Sequence, residues 1–227
     1  MRGYTAQQYK ELVENIDDLV LQKYMKDEQK FISEVTNAKS RTFIDMGAGN
    51  GRVESFLSKI SKNVIAIEIN REMYAGLKAR SADLKDVTAI EGDFFDLAGL
   101  LPSGTSRPVF LFLQNTLGTI EGGTAKQALA VAIDEAKQKN GGVILSVFRQ
   151  FALKSWGLNM YGKITDMLGR QSPDKTVVEK GVFVTDTGYT SKWWTDEDIA
   201  GFRTLGKVVR EQSTDEYTFL ELAFDQT

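Results

Sequence analysis

Residues 43–52 read Phe43-Ile44-Asp45-Met46-Gly47-Ala48-Gly49-Asn50-Gly51-Arg52. An apolar run over 41–46 carries an acid near its end and leads into three alternating glycines. Val53, Phe56, Leu57 and Ile60 then recur at helical spacing. Glycine permits positive φ and lets a ligand come close to the backbone. The first amides of the helix that follows can face polar or anionic groups. Strand, glycine turn and helix in that order are the first half of a βαβ unit.

Working outward, the pattern repeats. Residues 64–69 (VIAIEI) form a second strand and 71–82 a second helix, and Val87–Glu91 form a third strand. Residues 109–114 (VFLFLQ) are continuously apolar, as a central strand buried on both faces requires. An alanine-rich helix over 124–139 precedes a fifth strand at 143–148, introduced by Gly141-Gly142. Strands alternating with helices predict a parallel sheet with right-handed crossovers. Upstream, Leu12, Ile16, Leu19 and Val20, resumed by Phe31 and Val35, predict helix over 5–36, with a bend at Lys26-Asp27-Glu28.

The rhythm changes after Phe148. Trp156, Met160, Ile164, Met167 and Leu168 recur at helical spacing, and 177–194 reads as one or two short strands turning at Gly181 and Gly188. Thr195 caps a helix whose first turn is Asp196-Glu197-Asp198. Segments 207–212 and 218–224 form an antiparallel hairpin. The expected organisation is one domain. Residues 1–40 supply N-terminal helices and a lid, 41–148 the ligand-binding core, 149–194 an insertion over the substrate site, and 195–227 a helix and the terminal hairpin.

Composition narrows the chemistry. The 227 residues include 28 basic and 31 acidic side chains, no histidine and no cysteine. This excludes thiolate nucleophiles, Cys-based zinc sites and imidazole acid–base pairs within the chain. A net charge of −3 gives no overall drive toward a phosphate backbone and argues against nucleic acid as partner. No apolar run approaches the ~20 residues of a membrane span. The N-terminus lacks an apolar signal core, so the expected location is cytoplasmic.

Two ligands compete for the glycine loop. A nicotinamide or flavin loop requires G-x-G-x-x-G against a pyrophosphate, but Arg52 stands at the sixth position. Asp45, directly before the loop, would repel a pyrophosphate and suits an ammonium or sulfonium group. That favours S-adenosylmethionine. Glu68, ending the second strand, can accept from both hydroxyls of a ribose. Asp93, in Glu91-Gly92-Asp93-Phe94-Phe95, can accept from an adenine amino group or cap a short helix over 94–99.

D-x-G-x-G-x-G after strand one, an acid ending strand two and G-D-F after strand three resemble the class I S-adenosylmethionine-dependent methyltransferases. The resemblance covers about 41–148. It implies an α/β, Rossmann-like three-layer sandwich with a seven-stranded, mostly parallel sheet in the order 3-2-1-4-5-7-6 and an antiparallel terminal hairpin. It also implies that Asp45, Gly47, Ala48, Gly49 and Gly51 hold the methionine moiety, Glu68 the ribose, and Asp93 with Phe94 the adenine. Ile69 and Met73 would form apolar walls. Gln114-Asn115-Thr116-Leu117-Gly118 would lie beside the reactive methyl. The loop lacks the prolines of the Asn-Pro-Pro-Tyr signature of amide and base methylation. It is distantly similar to the Ser-Thr-Ile-Gly loop of histidine α-amine methyltransferases.

Methyl transfer from a sulfonium is an in-line displacement, needs no metal, and depends mainly on alignment. Without histidine, an amine nucleophile is favoured over a phenol or alcohol. The candidate catalytic residues are Asn115, Glu121 as proton acceptor, and Tyr189. Trp156, Tyr161, Tyr189, Trp193 and Trp194 read as the insertion's own core or as a cage for a cationic amine. Arg149 reads as a surface salt bridge or a fork for a substrate carboxylate. The leading expectation is a small-molecule methyltransferase. RNA or protein methylation, a non-catalytic S-adenosylmethionine-binding module, and aminopropyl transfer are the alternatives.

Overall fold

The sheet is built around β1 (Thr42–Met46), which is buried along its whole length. The computed structural model describes residues 17–120 and 124–224. Leu12, Ile16 and the candidate Glu121 lie outside the described residues. The strands are β1, β2 (Asn63–Glu68), β3 (Val87–Glu91), β4 (Pro108–Phe112), β5 (Gly142–Phe148), the short β6 (Val182–Val184) and β7 (Thr190–Lys192), then β8 (Lys207–Ser213) and β9 (Tyr217–Ala223). The main sheet has the order β3-β2-β1-β4-β5-β9-β8, parallel except for β9, which is antiparallel to both β5 and β8. This is the expected topology, renumbered because β6 and β7 pair as a separate hairpin inside the insertion.

Successive residues of a strand point to opposite faces, and two cores result. Phe43, Val64, Val109, Leu111, Ile144 and Phe219 pack on one face with Tyr24, Phe31 and Ile32 of α1 (Leu19–Ser33). Ile44, Met46, Ile67, Phe110, Phe112 and Leu145 pack on the other.

The helices between these strands are α2 (Glu54–Ile60), α3 (Arg71–Ser81), the short α4 (Leu97–Leu100) and α5 (Thr116–Thr119), and α6 (Thr124–Gln138). The buried stripe of α6 is Ala125, Ala128, Leu129, Ala132, Ile133 and Ala136, so mostly methyl groups meet the sheet. The small side chains let the helix axis approach the strands closely.

Three details depart from the sequence reading. Helix α1 is continuous through Lys26-Asp27-Glu28, with no bend. Lys23 and Asp27 form an i,i+4 ion pair on its outer side, while Glu28 turns inward at 1% exposure. The fourth strand ends at Phe112, two residues early, because Gln114 (φ 47°) and Asn115 (φ 59°) turn the chain. The stripe from Trp156 to Leu168 is largely buried, as its spacing implies. It is carried by a π-helical turn (Leu153–Gly157) and the short α7 (Leu158–Gly162) and α8 (Thr165–Leu168) rather than by one helix.

The hairpin turns at Gly181 and Gly188 fall where expected, at φ 66° and 89°. Thr195 and Asp198 form a reciprocal capping box on α9 (Asp196–Arg203). The insertion is bolted to α1. Asp18 caps that helix by accepting from Leu21 N at 3.0 Å, and it also accepts from Trp156 Nε1 at 3.0 Å. Lys163 Nζ donates to the Asp17 carbonyl at 2.9 Å. Among the described residues no helix is long and apolar enough to cross a membrane.

Candidate active site

All three loop glycines adopt positive φ: 81° at Gly47, 60° at Gly49 and 88° at Gly51. The space is tight. A Cβ at Gly47 would lie 3.1 Å from Thr116 Cγ2, and one at Gly51 would lie 3.1 Å from Leu77 Cδ1 in α3. Side chains are therefore excluded by both conformation and room. The amides of Gly47 and Ala48 donate to the Ile67 carbonyl at 2.9 and 3.0 Å, tying the loop to β2.

Glu68 closes the far side. It is 8% exposed and accepts from Gly49 N at 2.8 Å and from Asn70 N at 2.7 Å. Burial pushes its carboxyl above the usual range against the pull of these amides. Next to it, Ile69 is 61% exposed, an apolar surface beside the loop, whereas Met73 is buried. Asp93 does cap the short turn after β3, accepting from Phe95 N at 2.9 Å. Phe94 is half-buried, edge-on to Phe112 at 6.4 Å and tilted against Phe95 at 5.2 Å.

Beneath the loop lies a charged network. Asp45 and Glu54, 4% and 1% exposed, are neighbouring buried acids. Burial first, and then the neighbouring negative charge of Glu54, holds Asp45 far above the ordinary carboxylate range; burial also raises Glu54. Glu54 Oε2 accepts from Val53 N at 3.1 Å.

Arg52 pairs with Glu28 of α1. Glu28 also accepts from Gln114 N (2.9 Å), and its Oε1 lies 2.7 Å from Tyr24 Oη and 2.6 Å from Ser146 Oγ, two hydroxyls that also touch each other and share two protons among the three contacts. Against its burial, Arg52, Ser146 and Tyr24 keep the Glu28 carboxyl below the usual range. Thus one carboxylate receives donors from the glycine loop, the β4 turn, β5 and its own helix.

Asn115 is 1% exposed and its side chain is engaged on every side. Nδ2 donates to the Lys192 carbonyl at 2.9 Å and reaches Ser191 Oγ at 3.4 Å. Oδ1 accepts from Trp194 Nε1 at 2.9 Å and lies 3.4 Å from Phe148 N. A Cβ at Gly118 would collide with this amide and with the Lys192 carbonyl. The β4 turn and the β6–β7 hairpin are therefore locked together.

Tyr189 is half-buried, edge-on to Tyr161 at 6.0 Å and to Phe183 at 6.5 Å. Trp156, Tyr161, Phe183 and Trp193 are buried core. Arg149 forms an ion pair with Asp196 and donates to the Thr214 carbonyl, both at 2.7 Å.

The sequence reading did not single out Glu28, Tyr24, Arg52, Glu54 or Ser146. A signal for Glu28 was available: Leu21, Tyr24, Glu28, Phe31 and Ile32 share one buried helical face, so an acid there requires buried partners.

The residues present fit a nucleotide-type ligand with a cationic end. They offer a side-chain-free backbone cradle, a strand-end carboxylate at Glu68, and the Asn50 carbonyl oxygen, which is buried and without a hydrogen-bond partner. No family model matches the chain. A 78-residue stretch is 32% identical to ribosomal RNA small subunit methyltransferase A of Acidobacterium capsulatum, covering 34% of this chain and 28% of that relative's length.

Structural similarity extends over the whole chain. A Pyrococcus horikoshii protein aligns with TM-score 0.66 at 14% identity over 99% of this chain and 100% of its own. An S-adenosylmethionine-dependent methyltransferase from Clostridium acetobutylicum aligns with TM-score 0.62 at 15% identity over 97% and 98%. The N-methyltransferase NodS of Bradyrhizobium japonicum, solved with S-adenosyl-L-homocysteine, aligns with TM-score 0.56 at 11% identity over 96% of both chains. The protein has the class I, Rossmann-like fold of the S-adenosylmethionine-dependent methyltransferases.

Proposed function

We propose that the protein is an S-adenosylmethionine-dependent methyltransferase that acts on a small-molecule amine. The observation that carries this reading is the loop after β1. Its three positive-φ glycines leave the backbone open to a ligand, and one of them donates to Glu68 at the end of β2.

The chemistry supplied by such a cofactor is an activated methyl. The protein's part is to bind, align and keep out water. Asp45, Gly47, Ala48, Gly49 and Gly51 would surround the methionine end. Glu68 would accept from the ribose hydroxyls, and Ile69, Met73, Asp93 and Phe94 would enclose the adenine. Gln114 and Asn115 would border the methyl, with Asn115 keeping the β4 turn fixed through Trp194 and Lys192. The insertion, 149–194, would cover the substrate, with Tyr189 facing it. Glu121 is the proposed proton acceptor. By taking that proton it would leave the amine a free lone pair, which the pocket would hold in line with the activated methyl.

NodS, named an N-methyltransferase, supports the amine reading. The ribosomal RNA methyltransferase match supports RNA as the alternative acceptor, and the net charge of −3 weighs against it. A cytoplasmic location accompanies either reading.

Calorimetry with S-adenosylmethionine tests the cofactor half. Binding is expected, weakened about tenfold or more in Glu68→Ala, the scale of losing a charge-assisted hydrogen bond pair. Absence of binding overturns the proposal. Labelled methyl should then appear in amine-containing metabolite fractions. Label in total RNA alone would transfer the assignment to RNA.

A further inference from the structure

We propose that Glu28 is a positioning residue for methyl transfer: from α1 it braces the glycine loop and the turn after β4 against each other, so that two walls of the site keep a fixed separation. The inference rests on the methyltransferase reading of the site and adds a residue, and a helix, that the reading does not contain.

The turn after β4 has a shape that its residue types do not favour. Gln114 and Asn115 both take left-handed backbone, at φ 47° and 59°, and neither is glycine. Two such residues in succession persist only where their surroundings impose the shape. The constraints are visible. Asn115 N donates to the Ser146 carbonyl and Thr116 N to the Leu113 carbonyl, both at 2.9 Å. Lys192 and Trp194 fix the Asn115 side chain. The Gln114 amide finds its acceptor on another element, Glu28 Oε1 of α1, at 2.9 Å.

The second oxygen of the same carboxylate pairs with Arg52, the residue that follows the last loop glycine. Glu28 lies 86 residues from Gln114 and 24 from Arg52 along the chain, so only the fold brings the three together. At 1% exposure, water does not compete for these bonds. Tyr24 Oη, one turn earlier on α1, and Ser146 Oγ, on β5, sit against Oε1 and keep the carboxylate from turning. The brace is direct: one side chain spans two loops.

What the brace governs is alignment. On the methyltransferase reading the glycine loop holds the methionine end of the cofactor, and the Gln114–Asn115 turn borders its methyl. In-line transfer tolerates little error in the distance from acceptor to methyl carbon, and a shift of ~1 Å can cost on the order of 10²-fold. Glu28 acts through the Gln114 backbone and the Arg52 side chain. Glutamine at position 28 would have a single acceptor oxygen and could not serve both loops, whichever way its amide sits. One wall is then released while the size of the side chain, and the packing of α1, are kept.

The test compares Glu28→Gln with Asp18→Ala in the full chain. Asp18 steadies the other end of the same helix, and its partners are Leu21, Trp156 and Lys163 rather than either loop. Calorimetry gives the affinity for S-adenosylmethionine. Labelled methyl entering the amine-containing fraction that wild type modifies gives the transfer rate at saturating cofactor. Hydrogen exchange of the ligand-free chain reports the Gln114 amide. In Glu28→Gln, transfer should fall about tenfold or more, by a larger factor than affinity, and residues 113–116 should exchange faster. Asp18→Ala should lose stability yet keep transfer within about twofold of wild type. Unchanged transfer or unchanged exchange in Glu28→Gln overturns the inference, as does a loss of transfer that follows stability equally in both variants. A wild type that transfers no methyl to any fraction fails the functional reading, and this inference with it. If Glu28→Gln does not fold, Arg52→Lys, which keeps the charge without the guanidinium fork, takes its place with the same expected split.

Discussion

Replacing Glu28 by alanine removes the acceptor shared by four donors. The largest loss is electrostatic. The Arg52 side chain, 9% exposed, loses its carboxylate partner in the interior. Breaking a buried pair from one side typically costs about 3–5 kcal/mol. Gln114 N loses its bond to Oε1, whereas Tyr24 and Ser146 keep each other. Asp45, a further buried acid within electrostatic reach of Arg52, offsets part of the damage, so the lower half of that range, about 3–4 kcal/mol, is expected. For a chain of this size that corresponds to a melting point lower by roughly 6–16 °C. Urea unfolding followed by tryptophan fluorescence measures it directly, since Trp156 and Trp193 sit in the core that α1 covers. Glu28→Gln, which keeps an acceptor oxygen but no charge, should lose less. A loss under about 1 kcal/mol for Glu28→Ala is what a solvent-exposed pair gives, and would refute the keystone role assigned to this carboxylate.

The same network predicts opposite pH effects. Glu28 is lowered in the folded state, so its contribution is present above the ordinary glutamate range and is lost as pH falls through its folded value. Asp45 and Glu54 are raised, so theirs is present below their ordinary values and is lost as pH rises through the folded ones. Glu54→Gln should therefore flatten the alkaline limb of urea midpoint against pH and leave the acid limb in place. Trp194→Phe removes the donor to Asn115 Oδ1 and should cost about 1–2 kcal/mol by chemical denaturation. Gly181→Ala places a Cβ at φ 66° against the Trp193 carbonyl and should cost about 2 kcal/mol or more, read as a lowered melting temperature.

Much of this architecture was legible because the signals were local and periodic. Phe43-Ile44-Asp45 followed by alternating glycines can hardly be anything but a strand and a tight turn. VFLFLQ, apolar on both faces, had to be central, and it lies between β1 and β5. The illegible parts depend on what the chain meets after folding. Lys26-Asp27-Glu28 looks like a solvated break until Ser146 and Gln114 arrive from far along the chain to receive Glu28. Glu54 looks like an acid complementing the start of a helix, and only folding places it, buried, beside Asp45. Asn115 looks like a loop residue facing a ligand, and its partners on β7 and Trp194 lie beyond sequence range. The Asp93 cap and the Thr195 box were readable because both partners lie within three residues.

The bolt at Asp18 has a mechanical consequence. One carboxylate fastens the first turn of α1 to Trp156, 138 residues away in sequence, and Lys163 fixes the same corner from outside. Helix α1 is in turn held to the sheet by Glu28. The helix and the 153–168 segment thus form one cooperative unit, and their amides should open to hydrogen exchange together. The β6–β7 hairpin joins this unit through Phe183, stacked on Tyr161, and reaches the β4 turn through the side chain of Asn115.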